Sequence, residues 1–312
     1  MSADFGADLV TFYNPAFWGV PDSQGIATLA GQDPRHFWTR ILDTLHKAGI
    51  RGIELTFPPF NWSGLIEAFG TTQDVRDELG RRGLEIWSAF FADIEAAPPV
   101  AERGTQWDNM IRSATDAARF LSQTGGRILV AGLPLRQTFL HKPLCFVDLH
   151  AALPVADLLN HIGAATAEHG IALALHTEAH TMFCQSRDIA LFMLLTDPRY
   201  VGLCPDSAHI TLEGSDPIEV LRAHRDRIVT AHWKDALGPM PRETPIDAHI
   251  HERHRDYFCE MGHGVVDFAQ WADVLERAPL LSGPILELDA CKDPAAALVH
   301  ARKTCARMLA RQ

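Results

Sequence analysis

Short apolar segments of β-strand type alternate with amphipathic helical stretches along the whole chain. Runs rich in branched and aromatic residues predict strands, and apolar positions that repeat every three to four residues predict helices. The pattern predicts eight strands, at Asp8–Tyr13, Gly52–Thr56, Leu84–Phe90, Arg127–Ala131, Ile171–Glu178, Val201–Asp206, Ile228–Trp233 and Pro284–Leu288.

Three of the intervening helices are marked at their start by an aspartate and a proline, in Asp33-Pro34, Asp216-Pro217 and Asp293-Pro294. The carboxylate caps free backbone N–H groups, and proline suits the first helical position. Strands that alternate with helices pair in parallel, and eight such units favour a closed barrel. No GxGxxG or GxxxxGK[ST] turn follows an early strand, which counts against an open nucleotide-binding sheet. We therefore predict an α/β fold, a single (β/α)8 TIM barrel over residues 1–312, with long loops at about 57–70 and 235–264.

Composition and charge narrow the class of protein. Hydrophobic residues make up 47% and charged residues 21%, as in globular proteins. Lys and Arg number 28 against 39 Asp and Glu, and the net charge of −11 opposes binding to a nucleic acid. The six cysteines are scattered without a CxxC pair, which predicts reduced thiols. The first residues lack a basic n-region, and no apolar run approaches the ~18 residues of a membrane span. We expect a cytoplasmic chain with no nucleic-acid or membrane partner.

Four polar residues fall at the carboxyl ends of the last four predicted strands: Glu178, Asp206, His232 and Glu287. The carboxyl ends of barrel strands form the working face, so these side chains can converge. An apolar strand such as PILELD has little reason to carry an inward carboxylate without a cation or a partner. Three carboxylates and one imidazole predict a site for one divalent cation, with Mn²⁺ first, and Mg²⁺, Co²⁺ or Zn²⁺ as alternatives.

Further residues near these strand ends are candidates for contacts with a substrate. His176 shares the strand face of Glu178, and Lys234 shares that of His232. His209 follows Asp206 closely and is either a substrate contact or a satisfied loop histidine. Trp18 lies beyond the first strand, where an aromatic face can stack on a sugar ring, although core packing is the alternative.

Four histidines, His249, His251, His254 and His263, cluster in the second long loop. They suggest either a metal-binding tract or a lid with polar contacts. Their spacing suits no single helix face, which favours the lid.

Several segments resemble the xylose isomerase-like TIM-barrel superfamily, which holds sugar isomerases, epimerases and inosose dehydratases. The motifs that carry the resemblance are TDPRYVGLCPDSAHITLEGSDP, HWKDA, GHGVVDF and PILELD, with looser similarity in VTFYNPAFWG and GIRGIELTF. The resemblance implies a single divalent ion, often Mn²⁺, held by Glu178, Asp206, His232 and Glu287, and substrate contacts from His209.

One segment departs from the dehydratase pattern. Members of that branch often have His-Pro-His-x-Gly-Thr after strand five, where this chain has HTEAHT from His176 to Thr181. The carboxylate of Glu178 is closer to the epimerase and isomerase pattern, so inositol specificity stays open. TFPPFNW and the insertion after HWKDA also resemble subunits that cleave 3-keto C-glycosides by β-elimination.

These observations predict an enzyme that enolises a keto-sugar or keto-cyclitol, with Glu178 and Glu287 transferring the proton. Return of the proton gives isomerisation or epimerisation, and expulsion of a β leaving group makes the enzyme a dehydratase or lyase. A phosphodiesterase similar to endonuclease IV is an alternative, since Asp247 and His249 resemble further ligands of its trinuclear cluster. The histidines that such a cluster needs after strands two and three are absent, however. The last alternative is a partner-dependent subunit, and a homo-oligomer or a second subunit stays possible.

Overall fold

Eight parallel strands form the centre of the molecule in the computed structural model, which describes residues 4–96, 104–136 and 146–310. The strands of this sheet are β1 Gly6–Asp8, β2 Gly52–Leu55, β3 Glu85–Phe91, β4 Ile128–Ala131, β5 Ala172–His176, β6 Val201–Cys204, β7 His232–Trp233 and β10 Ile285–Leu286. Their order in the sheet is β6-β5-β4-β3-β2-β1-β10-β7. Parallel bridges from Leu203 to Ile228 and from Asp206 to His232 connect the two ends of this order. The predicted (β/α)8 barrel is confirmed.

A short antiparallel hairpin follows the seventh barrel strand. It pairs β8, Asp235–Ala236, with β9, Phe258–Cys259. The helices are α1 Pro15–Trp18, α2 Ser23–Gln32, α3 Pro34–Ala48, α4 Trp62–Phe69, α5 Thr72–Gly80, α6 Asp93–Ala96, α7 Thr105–Thr124, α8 Leu149–Ala167, α9 Ser186–Leu195, α10 Ser207–Leu212, α11 Pro217–His224, α12 Ile250–His254, α13 Phe268–Leu275 and α14 Pro294–Leu309, with 3-10 turns at Leu9–Phe12 and Arg225–Arg227. Within the described ranges, none of these helices is long and apolar enough to cross a membrane.

The aspartate–proline signals mark helix starts as predicted. Asp33 accepts from the backbone N–H of His36, and Asp216 and Asp293 cap α11 and α14 in the same way. Gly49 ends α3 with a φ of 72°, a left-handed conformation that glycine adopts without strain.

Side chains alternate between two layers of core. Ile128, Val130, Ala174 and Cys204 pack together inside the barrel. The residues between them on the strands, such as Leu129 and Leu173, belong to the larger core between barrel and helices. A strand residue of the inner set that lies at the carboxyl end of the barrel therefore points toward the mouth.

Several strand boundaries differ from the predicted ones. The first strand is Gly6–Asp8 and not Asp8–Tyr13, because Asp8 accepts from the N–H of Val10 and starts a 3-10 turn. The fifth strand ends at His176, two residues before its predicted end at Glu178. The seventh and eighth barrel strands, β7 and β10, are two residues each and so are shorter than predicted. Apolar composition does not distinguish a paired strand from the extended or turning chain beside it.

The two segments predicted as loops contain regular structure. Residues 57–70 include α4, which Asn61 caps through its side chain. Residues 235–264 include β8, α12 and β9. We refer to residues 235–264 as the hairpin segment. The Asp235 carboxylate accepts from the N–H groups of Gly262 and Gly264, which fixes the far end of the segment to its start.

Candidate functional site

Four buried side chains converge at the carboxyl ends of adjacent strands. His176 is the last residue of β5, Asp206 follows β6, His232 begins β7 and Glu287 follows β10. Each offers a ligand atom within 4.8 Å of the ligand atoms of the other three. The strand order explains why these four side chains converge, because the bridge from Asp206 to His232 brings β6 and β7 together.

Several polar atoms in this cluster have no hydrogen-bond partner: both ring nitrogens of His176 and Oδ2 of Asp206. The ring of His232 lies between two carboxylates, with Nδ1 2.6 Å from Glu287 Oε2 and Nε2 2.8 Å from Glu54 Oε1. Nδ1 of His232 and Oε2 of Glu287 are close enough to bind the same cation. Ligand atoms about 2.1 Å from one ion and at right angles are about 3 Å apart. Leaving buried polar atoms unpaired is costly, and a cation among them removes that cost. The residues present therefore fit a divalent ion.

Glu178, expected as a ligand, lies outside this set, and His176 takes the strand-five position. The carboxylate Oε2 of Glu178 is 4.0 Å from His176 Nδ1. The chain leaves the strand after His176, so the expected alternation of faces does not extend to Glu178. The buried group of four therefore contains two imidazoles and two carboxylates, whereas the predicted ligand set has one imidazole and three carboxylates.

Glu178 instead belongs to a second group, with His251 and His254 of α12. His251 Nδ1 is 3.1 Å from Glu178 Oε1, and His254 Nε2 is 3.0 Å from Nδ1 of His180. Burial opposes the charged form of Glu178, but the hydrogen bond with His251 and the charges of His251, His176 and His254 lower its pKa to about 2. The hairpin segment thus reaches the mouth of the barrel through two of its histidines.

Other members of the predicted histidine tract lie on the surface. His249 is 3.2 Å from Glu252, and His263 is 3.9 Å from Glu260. Asp247 pairs with Arg253. The structure therefore does not bring Asp247 and His249 to the buried cluster.

Lys234 is fully buried beside the cluster. Its Nζ lies 2.5 Å from Glu287 Oε1, 3.1 Å from Asp289 Oδ1 and 3.2 Å from Nε2 of His209. Burial disfavours the ammonium ion, but the two carboxylates outweigh burial and raise the pKa of Lys234. Burial and the Lys234 charge lower the pKa of His209 well below its usual value. Lys234 thus holds a second oxygen of Glu287 as a charged partner.

A cavity of about 270 Å³ opens above these residues. His176, Glu178, His209 and Glu287 line it, while Lys234 lies behind them. The remaining lining residues are Asp8, Val10, Tyr13, Thr56, Phe57, Phe90, Glu95, His251, Arg255 and Asp289.

Trp18, expected as a stacking residue, is not among the lining residues. Its ring stacks on Phe37 at 4.2 Å, and its indole N–H donates to the carbonyl of Phe12. Both contacts place it in the core, because α1 turns the side chain toward α3. Tyr13, Phe57 and Phe90 supply the aromatic surface of the cavity instead.

Sequence reasoning missed several residues of the site. Three are acidic: Asp8 ends β1, Glu54 lies in β2, and Glu95 follows β3. The fourth, His251, comes from the hairpin segment. Glu54 sits in the apolar strand GIEL, which is the same signal that identified Glu287 in PILELD. Burial and the negative charge of Glu178 raise the pKa of Glu95 to about 8.

The fold agrees with comparisons with known proteins. The family model described as Xylose isomerase-like TIM barrel matches residues 42–307. The chain belongs to that family, and it is an enzyme. An inosose dehydratase of Geobacillus thermodenitrificans (strain NG80-2) is 28% identical over 238 residues, covering 72% of this chain and 76% of that protein.

Solved structures share the architecture. The zinc-binding IolI protein has a TM-score of 0.69 at 14% identity and covers 99% of this chain and 98% of its own. The 3-keto-D-glucoside 4-epimerase YcjR of E. coli has a TM-score of 0.64 at 18% identity and covers 98% of this chain and 99% of its own. At these identities the likeness concerns the fold.

Proposed function

We propose that this enzyme uses one divalent cation, held by His176, Asp206, His232 and Glu287, to enolise a keto-sugar or keto-cyclitol. The observation that carries the proposal is the set of unpartnered buried donor atoms that adjoins the cavity. When bound, the cation supplies Lewis acidity that acidifies the C–H bond next to a carbonyl. Two imidazole donors favour Mn²⁺, Co²⁺ or Zn²⁺ over Mg²⁺, and Mn²⁺ stays our first candidate.

Glu178 is the proposed base that removes the proton. Its carboxylate lines the cavity, lies beside the cluster, and is ionised because of its contact with His251. A carboxylate in reach of the substrate carbon is a general base. Glu287 was the second expected acid–base group, but its Oε1 contacts Lys234 and its Oε2 contacts His232. We therefore assign Glu287 to holding the cation.

The cavity wall suits a ring with polar edges. Tyr13, Phe57 and Phe90 present apolar faces that can pack on the C–H face of a sugar. His176 and His209 lie on the same wall as Glu178, and His209 is held by the N–H of Ala179 at 3.2 Å. The neutral His209 ring lines the cavity with Nδ1 held by Ala179 and Nε2 facing Lys234, and Lys234 acts on the site through Glu287.

Return of the proton by the enzyme gives isomerisation or epimerisation, which is the first outcome we propose. A second outcome, elimination of water, is favoured by the curated relative named inosose dehydratase. It is also supported by Glu95, which lines the cavity and whose raised pKa of about 8 makes it a proton donor at neutral pH. A protonated carboxyl group can assist a departing hydroxyl.

The test uses metal-loaded enzyme in D₂O with ketohexoses, inososes and 3-keto-glycosides. We expect one ion per chain by plasma mass spectrometry, and deuterium at a carbon next to the carbonyl by NMR and mass spectrometry. Glu178→Gln is expected to reduce exchange at least 100-fold without loss of the ion. The exposed Glu168→Gln is the matched control.

Product analysis separates the two outcomes, because elimination gives a product lighter by one water. Absence of bound metal after titration with Mn²⁺, Co²⁺ and Zn²⁺ would overturn the proposal. Exchange at the wild-type rate in Glu178→Gln would refute the role of that carboxylate.

A further inference from the structure

Glu54 is a fully buried carboxylate on the inner face of β2, across the barrel from Asp206. Its Oε1 lies 2.8 Å from Nε2 of His232. The other ring nitrogen of His232, Nδ1, faces Glu287 Oε2 at 2.6 Å. The imidazole therefore lies between two carboxylates, of which Glu287 belongs to the four-residue cluster.

The position of Glu54 is itself fixed by neighbours. The hydroxyl of Ser88 on β3 donates to Glu54 Oε2, and Asp8 on β1 offers an oxygen within 4.8 Å of the Glu54 and His232 ligand atoms. Glu54, Ser88 and His232 are completely buried. Three strands thus hold one carboxylate against the far side of one histidine ring.

A histidine that binds a metal through one nitrogen has an N–H on the other, and a partner for that N–H fixes the tautomer and the ring plane. Here only Nδ1 faces the cluster, so the N–H belongs on Nε2, opposite Glu54. We propose that Glu54 is a positioning residue that holds His232 with Nδ1 directed to the cation. This inference rests on the metal site of the proposed function.

The rival explanation is that Glu54 is itself a ligand. Asp8, Glu54 and His232 also form a group whose ligand atoms lie within 4.8 Å of one another. A second ion there would share His232 with the first. Metal stoichiometry distinguishes the two arrangements, because positioning needs one ion per chain and the rival needs two.

The experiment measures Co²⁺ and Zn²⁺ affinity of chelator-treated protein by competition titration for the wild type, Glu54→Ala and Glu54→Gln. We expect Glu54→Ala to weaken binding 10–100-fold, the range typical for such partners of a ligand histidine. Glu54→Gln keeps an oxygen that accepts the Nε2–H, and is expected to restore most of that loss. Glu78→Ala removes another buried glutamate, which lies on the outer helix α5 and pairs with Arg82, and is the matched control.

A spectroscopic measurement separates positioning from general destabilisation. In ¹⁵N-histidine NMR of the Zn²⁺-loaded wild type, we expect the His232 proton on Nε2. Glu54→Ala is expected to change the Nε2–H shift and the Co²⁺ absorption spectrum, and Glu78→Ala to leave both unchanged.

The outcomes also separate this inference from the proposed function. If the wild type binds no ion, the proposed function fails and this inference with it. If the wild type binds one ion and Glu54→Ala binds it equally well, only the role of Glu54 is refuted. Two ions in the wild type and one in both Glu54 variants would assign Glu54 as a ligand and overturn positioning.

Discussion

Replacing Lys234 by methionine tests whether the buried charges beside the cluster depend on one another. Lys234 Nζ lies 2.5 Å from Glu287 and 3.1 Å from Asp289, and it sits 3.9 Å above the ring of Phe258. Methionine retains similar length and apolar packing but removes the charge. Both carboxylates are then left in a buried, negatively charged site without their cationic partner.

Breaking a buried ion pair by removing one partner costs about 3–5 kcal/mol. Unfolding entropy is about 2.1 cal/mol/K per residue, so a chain of 312 residues has about 0.65 kcal/mol/K. The expected fall in melting temperature is therefore about 5–8 °C for the chelator-treated protein. Added Mn²⁺ or Zn²⁺ is expected to reduce the difference in melting temperature between Lys234→Met and the wild type, because a cation at Glu287 replaces part of the lost charge.

The assay is urea denaturation with calorimetry, run in chelator and then in excess metal. Lys303→Met, at an exposed position of α14, is the control and is expected to change the free energy of unfolding by less than about 0.5 kcal/mol. A Lys234→Met protein within 1 kcal/mol of the wild type in chelator would refute the reasoning.

Two further predictions concern neighbouring residues. Glu95 has a pKa raised to about 8, so its contribution to stability is fully present below its unfolded pKa near 4.5 and is lost as pH rises to about 8. Glu95→Gln should therefore lose less stability between pH 5 and 8 than the wild type in chelator, measured by the free energy of unfolding; parallel pH curves would contradict this. Asp235→Ala removes the acceptor for Gly262 and Gly264 and should cost about 3–5 kcal/mol with faster amide exchange in the hairpin segment. Asp273→Ala, on the exposed face of α13, is its control. Unchanged amide-exchange rates at Gly262 and Gly264 in Asp235→Ala would show that the Asp235 contacts do not hold the hairpin segment.

The site was partly predictable because strand ends are visible in a sequence. Asp206, His232 and Glu287 each follow or begin a short apolar run, and the barrel places such ends together. The sequence could not show that His176 joins the buried group while Glu178 lies beside it, because the alternation rule holds only while the chain stays extended, and β5 ends at His176. No residue pattern in this segment indicates where the strand stops pairing with its neighbours.

Contacts between distant segments were invisible in the sequence. His251 reaches Glu178 across 73 positions because the hairpin segment returns over the barrel mouth. Trp18 had the right residue type and place for stacking, but α1 directs it into the core against Phe37. Such outcomes depend on how helices and loops pack, and many sequences with equal composition pack differently.

The amino-acid pattern alone predicts the alternation of strands and helices, and with it the parallel barrel and the edge where polar side chains gather. Hydrophobic periodicity and helix caps are local, so they survive in a one-dimensional pattern. The folded barrel is needed to see which side chains of that edge share one point, that Lys234 contacts Glu287, and that Glu54 contacts His232. Those relations depend on strand register and side-chain direction, which are set by packing across the whole barrel.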